Sequence, residues 1–266
     1  MGLFDNLFNK KSKTKASQES RDKEVSAINT QPINLSLTKE ESLKVLDLRK
    51  DKLSLCLEKR DISNLTAQIA LVLDYSGSMR KLYSNGTIQR VIERILPIAM
   101  KFDDNGEMEV WLFSDSFNKI GPISLGNYYN FLDNNNILNT YPMCGTKYSP
   151  VMENVINNYI KEDVSCYPTL VLFITDGDNV GENNHMPEML IKSSSTKPIF
   201  WQFIGIGKER FSFLESLDTM SDRIVDNANF FKLNDIDKIS DEELYDRLLN
   251  EYPSWLKAAK EKNIIK

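Results

Sequence analysis

The chain has 266 residues, of which 41% are hydrophobic and 27% charged, and its formal net charge at neutral pH is −5. This composition is typical of a folded, mildly acidic protein. It excludes both wholesale disorder and a protein that coats nucleic acid by bulk positive charge. No apolar run reaches the roughly 18 residues that indicate a membrane-spanning helix.

Histidine and cysteine are scarce, which narrows the chemistry available to the chain. His185 is the only histidine, and the three cysteines are Cys56, Cys144 and Cys166. An odd number of cysteines without a CxxC spacing predicts a reducing compartment and no thiolate metal site. The N-terminus lacks the pattern of a cleaved signal peptide. We therefore expect a cytoplasmic protein.

The first 30 residues differ in composition from the rest of the chain. Within residues 1–15, apolar residues at helical spacing are followed by four lysines. Two interpretations remain open: a disordered tail, or a short amphipathic basic segment that docks on the inner face of a membrane. Residues 31–66 contain leucines at both strand and helix spacings. We predict that they form a lead-in segment packed on a main domain over residues 67–262.

The main domain alternates apolar runs of strand length with helical patterns. Four runs are continuous, which predicts strands buried on both faces of a parallel sheet, at residues 69–73, 110–113, 170–174 and 199–206. The stretch over residues 108–125 indicates a hairpin and therefore one antiparallel edge strand. We predict an α/β fold with a mostly parallel central sheet, this antiparallel edge strand, and helices on both faces.

Capping residues mark the starts of two predicted helices. Ser149 is the predicted N-cap of a helix with Pro150 in its first turn, and its apolar stripe runs to residue 160. Ser240 and Glu243 have the spacing of a capping box at the start of a later helix. Trp111, Trp201 and Trp255 lie in apolar contexts that predict core positions.

Polar residues follow two of the predicted buried strands, where ligands bind in open α/β sheets. The candidate site comprises five residues on three loops: Asp74, Ser76, Ser78, Thr146 and Asp176. An all-oxygen set without imidazole or thiolate suits a hard cation, first Mg²⁺, with Mn²⁺ or Ca²⁺ as alternatives. Asp176 either ligates the ion directly or holds bound water and orients the serines.

Three enzyme classes are disfavoured by single positions. A haloacid-dehalogenase-type phosphotransferase needs an acid where Ser76 stands. A serine hydrolase needs a glycine where Asp74 stands, and no Walker A loop is present. Asp178 and Glu182 fall short of a Ca²⁺-loop pattern and are interpreted as solvated rim charges. We predict neither catalysis nor nucleic-acid binding, since no basic stripe interleaved with aromatic residues occurs.

The strings DYSGS, GT and TDG resemble the metal-ion-dependent adhesion site (MIDAS) of von Willebrand factor A (VWA) domains. Longer stretches such as QRVIERILPIAMKFD and PIFWQFIGIG are similar to the A domain of TerF-type proteins of the bacterial tellurium-resistance group. This resemblance covers about residues 33–262 and all five metal positions. It implies a Rossmann-like sheet with the cation at its top. It also implies direct contacts from Ser76, Ser78 and Thr146, with Asp74 and Asp176 acting mostly through water.

The resemblance also implies a role in protein interaction. An ion touched by few carboxylates keeps positive charge, and an acidic side chain of a partner can complete its coordination. We therefore expect a metal-dependent interaction module of a tellurium-resistance or stress-response system. Its partners would be proteins that offer Asp or Glu to the metal, other tellurium-resistance proteins among them. The alternative is a peripheral membrane scaffold that docks through residues 1–15.

Overall fold

Six strands form one sheet at the centre of the part of the chain that the computed structural model describes, residues 37–160 and 167–266. The strands are β1 (Gln68–Asp74), β2 (Met108–Phe113), β3 (Phe117–Ile123), β4 (Thr169–Thr175), β5 (Ile199–Ile206) and β6 (Ala228–Leu233). Their order is β3-β2-β1-β4-β5-β6. Every neighbouring pair is parallel except β2 and β3. The predicted mostly parallel sheet with one antiparallel edge strand is therefore confirmed.

Helices cover both faces of this sheet, as the sequence predicts. In the described residues they are α1 (Lys39–Lys59), α2 (Arg80–Ser84), α3 (Thr87–Phe102), α4 (Phe131–Asn134), α5 (Ile137–Thr140), α6 (Ser149–Tyr159), α7 (His185–Ser194), α8 (Ser212–Asp218), α9 (Asp241–Leu248) and α10 (Tyr252–Glu261). None of them is long and apolar enough to cross a membrane. The predicted tail over residues 1–30, with its membrane-docking segment, lies outside the described residues.

Two hydrophobic cores lie on opposite faces of the sheet, and successive residues of a strand alternate between them. In β1, Leu71 and Leu73 enter the core formed with α1, α3, α9 and α10. Ala70 and Val72 enter the core formed with α6, α7 and α8. Because the strands are buried on both faces, they appear in the sequence as continuous apolar runs. Each fully buried large side chain contributes about 1.5–3 kcal/mol to folding.

Details of the helices both confirm and correct the sequence-based predictions. The three tryptophans are buried. The Ser240 hydroxyl accepts a hydrogen bond from the Glu243 amide at 3.1 Å, so the cap at Ser240 is confirmed, while the Glu243 carboxylate pairs with Arg247. The predicted N-cap at Ser149 is wrong. Tyr148 occupies the cap position of α6, and the Ser149 hydroxyl, in the first helical turn, donates to Glu182.

The ambiguous leucines before the sheet belong to α1. Leu46, Leu53 and Leu57 are buried at helical spacing, whereas Leu55 is 59% exposed, so the alternating strand-like pattern was misleading. The buried stripe of α1 packs against α3 and α9. A helix thus joins the core on one face of the sheet, and its exposed leucine faces solvent.

Arg94 ties α3 to the segment that leads into α9. Its side chain is 7% exposed, and its Nε donates to the Asp241 carboxylate at 2.7 Å. Its other nitrogens donate to the carbonyls of Ile236 and Ile239. The guanidinium therefore satisfies two backbone carbonyls and makes the shortest contact to a carboxylate that Arg49 and Lys52 also approach, at 3.5 and 3.7 Å.

Replacing Arg94 with Met should lower the free energy of unfolding by about 3–5 kcal/mol, because the substitution leaves a partly buried carboxylate without its main partner. Urea unfolding followed by circular dichroism measures the loss. The matched control is Arg90→Met in the same helix, whose ion pair with Asp237 is largely exposed. It should cost under about 1 kcal/mol. Equal losses for the two variants would contradict the assigned role of Arg94.

Candidate metal centre

The candidate site lies where β1 and β4 end side by side in the centre of the sheet. The two strands are parallel neighbours, and Leu73 is in register with Ile174. Asp74 is the last residue of β1, and Asp176 comes directly after β4. Because the carboxyl ends of parallel strands lie at one edge, residues far apart in sequence meet here.

Hydrogen bonds join three of the predicted site residues in a continuous row. The Ser76 and Ser78 hydroxyl oxygens are 2.9 Å apart, and the Ser78 hydroxyl donates to Oδ1 of Asp176 at 2.8 Å. Ser76 is buried and Ser78 is exposed, so the row leads from the sheet edge towards solvent. Three oxygen-bearing side chains from two loops thus converge on one place.

Asp74 is completely buried beneath this row. Its Oδ1 accepts a hydrogen bond from the Ser76 amide at 2.8 Å, and its Oδ2 accepts one from the Thr175 hydroxyl at 2.6 Å. Burial raises the pKa of Asp74 to about 6, against the opposing effect of these hydrogen bonds and with a further rise from the charge of Asp176. Thr175 was not singled out from the sequence, since its role depends on the register of two strands.

The loop that carries Thr146 is attached by its backbone to the loops on either side. The Gly77 amide donates to the Cys144 carbonyl at 3.1 Å, and the Val180 amide donates to the Thr146 carbonyl at 2.7 Å. Thr146 itself is 9% exposed. The structure therefore places the loop of Thr146 between the serine loop and the Asp176 loop, as the site prediction requires.

Gly145 allows a third attachment of the same loop. Its amide donates to Oδ2 of Asp115 at 3.2 Å, and a Cβ at this position would lie 2.5 Å from Oδ1 of Asp115. Any larger residue would displace the aspartate or the loop. Asp115, which follows β2, is a contact that the sequence analysis missed.

Glu182 and Asp178 are not the solvated rim charges that the sequence analysis predicts. The Glu182 carboxylate accepts the amides of Tyr148 and Ser149 at 2.5 and 2.9 Å, at the start of α6. Asp178 accepts the Phe213 amide at 3.2 Å, at the start of α8. The long loop after β4 thus supplies a carboxylate to each of two helix N-termini, where negative charge is stabilising. These contacts fix the loop that carries Asp176.

The donor set fits a hard divalent cation. It consists of two carboxylates and three hydroxyls, all oxygen, at one sheet edge. Among the described residues no three His, Cys, Asp or Glu side chains come together in a group able to hold a metal, so hydroxyls have to supply part of any coordination here. Both Asp74 oxygens already accept hydrogen bonds, which suits a role through water. Burial also raises the pKa of Asp176, against its hydrogen bond from Ser78.

This sheet, with its three loops at the carboxyl edge, defines the VWA class of domain. A family model described as "vWA-TerF-like: vWA found in TerF C terminus" matches residues 66–265, and the chain belongs to that family. The chain is also 44% identical over 225 residues to the uncharacterized protein YcbR of Bacillus subtilis (strain 168). That match covers 83% of this chain and 90% of YcbR.

Solved VWA structures are more distant. Proximal thread matrix protein 1 from the mussel byssus, described with a zinc-occupied MIDAS motif, is 20% identical with a TM-score of 0.48, over 73% of this chain and 50% of that one. A von Willebrand factor type A protein from Catenulispora acidiphila is 12% identical with a TM-score of 0.48, over 74% and 43% of the two chains. This chain thus spans about half the length of these proteins, and at such scores the likeness adds nothing to the family assignment.

Metal affinity should fall as the pH is lowered through about 6, because a metal and a proton compete for Asp74. The raised pKa also means that protonation of Asp74 stabilises the metal-free fold at low pH, and that this contribution is lost as the pH rises through about 6. Calorimetric titration with Mg²⁺ between about pH 7.5 and 5 should show up to about a tenfold loss per pH unit below that point.

The matched variant is Asp74→Asn, which keeps the size of the side chain but has no proton to lose. Its affinity for Mg²⁺ should be lower throughout, with only the shallower pH dependence that Asp176 supplies. An affinity of the unmodified chain that stays constant between about pH 7.5 and 5 would contradict the role of Asp74.

Proposed function

We propose that this VWA domain is a metal-dependent protein-interaction module. The observation that carries the proposal is the row of oxygens from Ser76 through Ser78 to Asp176, set above the buried carboxylate of Asp74. The row leads to solvent, where a partner can reach it. Mg²⁺ is the proposed ion, because hydroxyl and carboxylate oxygens suit it, with Mn²⁺ or Ca²⁺ as alternatives.

The proposed roles of the five residues are those that the resemblance to VWA domains implies. Ser76, Ser78 and Thr146 would hold the ion directly, while Asp74 and Asp176 would act mostly through bound water. When bound, the ion would supply a positive charge with an open position for a carboxylate. With few direct carboxylate ligands that charge is only partly neutralised. An Asp or Glu side chain of a partner protein is therefore the proposed completing ligand.

Binding rather than catalysis is the better-supported use of the site. The Ser78 hydroxyl donates to the Asp176 carboxylate. Within the described residues no histidine or lysine contacts a site serine. His185 begins α7 with a side chain 67% exposed, and its nearest charged partner is Glu188 at 3.9 Å. No described histidine or lysine is therefore placed to act as the general base for a site serine. We propose that the chain is not an enzyme.

The biological setting is proposed from the family. Membership of a TerF-type group supports a place in a bacterial tellurium-resistance or stress-response system, with other proteins of that system as candidate partners. Cys56 and Cys144, the two cysteines that the structure describes, form no disulfide, which supports a reducing, cytoplasmic location.

Replacing Ser78 with Ala should weaken Mg²⁺ binding by about 10- to 100-fold and weaken partner binding together with it, because one ligand and its hydrogen bond to Asp176 are lost. Calorimetry gives the Mg²⁺ affinity. Affinity capture from host lysate in Mg²⁺ and in EDTA, with mass spectrometry, identifies partners whose binding needs the ion.

Ser84→Ala is the matched control, since the Ser84 hydroxyl on α2 donates only to the nearby Lys81 carbonyl. It should leave both affinities unchanged, and circular dichroism should show both variants folded. Partners that the Ser78→Ala variant and EDTA leave bound at full strength would overturn the proposed metal bridge.

A further inference from the structure

A groove of about 1300 Å³ lies at the opposite end of the sheet from the candidate metal centre. It is lined by residues 61–66 before β1, by Tyr167 and Pro168 before β4, by Pro198 before β5, and by α10 with the residues that follow it. A seven-residue strand spans roughly 20 Å, so the groove and the metal centre are separated by the length of the sheet. Both surfaces can be occupied at the same time.

Prolines and aliphatic side chains line part of the groove, beside the polar residues Ser63, Asn64 and Thr66. Pro168, Pro198 and Pro253 line it together with Leu256, and proline has no amide hydrogen to offer a ligand. The carbonyls of Pro168 and Pro198 already accept the amides of Gln68 and Thr169 at 2.9 and 2.7 Å. The backbone at Pro168 and Pro198 therefore offers little to a ligand, and recognition at these positions depends on side-chain contact.

Lysines outnumber acidic residues among those that line the groove, although the chain as a whole carries a net charge of −5. Four lysines line the groove and are exposed: Lys197, Lys257, Lys260 and Lys266. Within the described residues none of the four forms an ion pair. By contrast, Arg60 in the same groove is neutralised by Asp246 at 2.8 Å. Asp61 and Glu261 are the acidic residues among those that line the groove.

We propose that this groove docks an acidic, extended segment of a partner protein. The apolar side chains of the segment would lie against the prolines that line the groove, and its carboxylates would pair with the lysines. Complementary charge provides the orientation and makes the contact sensitive to salt. A concave groove fits a chain segment better than the flat surface of a bilayer. The proposal does not depend on the metal centre. The chain would therefore have two binding surfaces, one at each end of the sheet.

Selection from a random dodecapeptide library on the full chain tests the proposal without a known partner. The selected peptides should be rich in Asp and Glu and should carry aliphatic or aromatic residues. The affinity of the best peptide, measured by fluorescence anisotropy, should fall at least about tenfold in the double variant Lys257→Glu/Lys260→Glu. It should be unchanged by EDTA and by Ser78→Ala, which separates this surface from the metal bridge.

Lys262→Glu is the matched control, because Lys262 is exposed just beyond α10 and does not line the groove. It should alter the peptide affinity by less than about twofold, with thermal melts confirming that all variants fold. Two results would overturn the proposal. One is a set of selected peptides without acidic enrichment, or with full affinity for the double variant. The other is lysine-dependent pelleting with phosphatidylserine vesicles and no selected peptide, which would make the groove a membrane contact.

Discussion

A carboxylate buried at the end of a central strand organises the top of this domain. Asp74 is fully removed from solvent, and no cation contacts it among the described residues. An uncompensated buried charge is expensive, so the surrounding groups have to be arranged to stabilise it. The Ser76 amide and the Thr175 hydroxyl do so from two different strand ends. The parallel register of β1 and β4 brings these two donors to the same place and fixes where the serine loop begins.

The strength of that arrangement depends on loops that are held to one another rather than to the core. The loop of Thr146 accepts an amide from each neighbouring loop, and Glu182 and Asp178 bind the starts of α6 and α8. Two hydrophobic cores below supply the rigidity of the strands, while these polar contacts set the positions of the side chains above. A site that holds several oxygens in place needs this second layer of contacts.

Much of this architecture was predictable because strands that are buried on both faces consist of continuous apolar runs. Four strands were found as continuous apolar runs. Four of the five candidate residues were found because they follow such runs, and Thr146 was found on the glycine-containing loop before a predicted helix. Strand β6 was not predicted. It contains Asn229 and Lys232, and its polar content is accommodated locally, since the Asn229 side chain donates to the buried Gln202 at 3.2 Å. No single-sequence pattern indicates that pairing.

Other features were missed because they depend on contacts between distant residues. Thr175 and Asp115 act across strand ends, and their partners are about 100 and 30 residues away in the chain. Glu182 was assigned to solvent, although it takes the role that local capping rules had given to Ser149. Local rules choose the nearest side chain able to cap a helix. In this fold the Glu182 carboxylate, on the loop after β4, accepts the first amides of α6 instead.

The hydrogen bonds of the Thr175 hydroxyl depend on the charge of Asp74. A threonine hydroxyl carries one proton, and both Asp74 and the Gly177 carbonyl lie within reach of it, at 2.6 and 2.9 Å. While Asp74 is ionised, it accepts the hydrogen bond of the Thr175 hydroxyl. The Gly177 carbonyl then accepts a hydrogen bond from the Tyr148 hydroxyl at 2.5 Å. Tyr148 stands two residues after Thr146. The charge on one aspartate therefore sets which acceptor the Thr175 hydroxyl uses, and so whether Tyr148 is alone in donating to the Gly177 carbonyl.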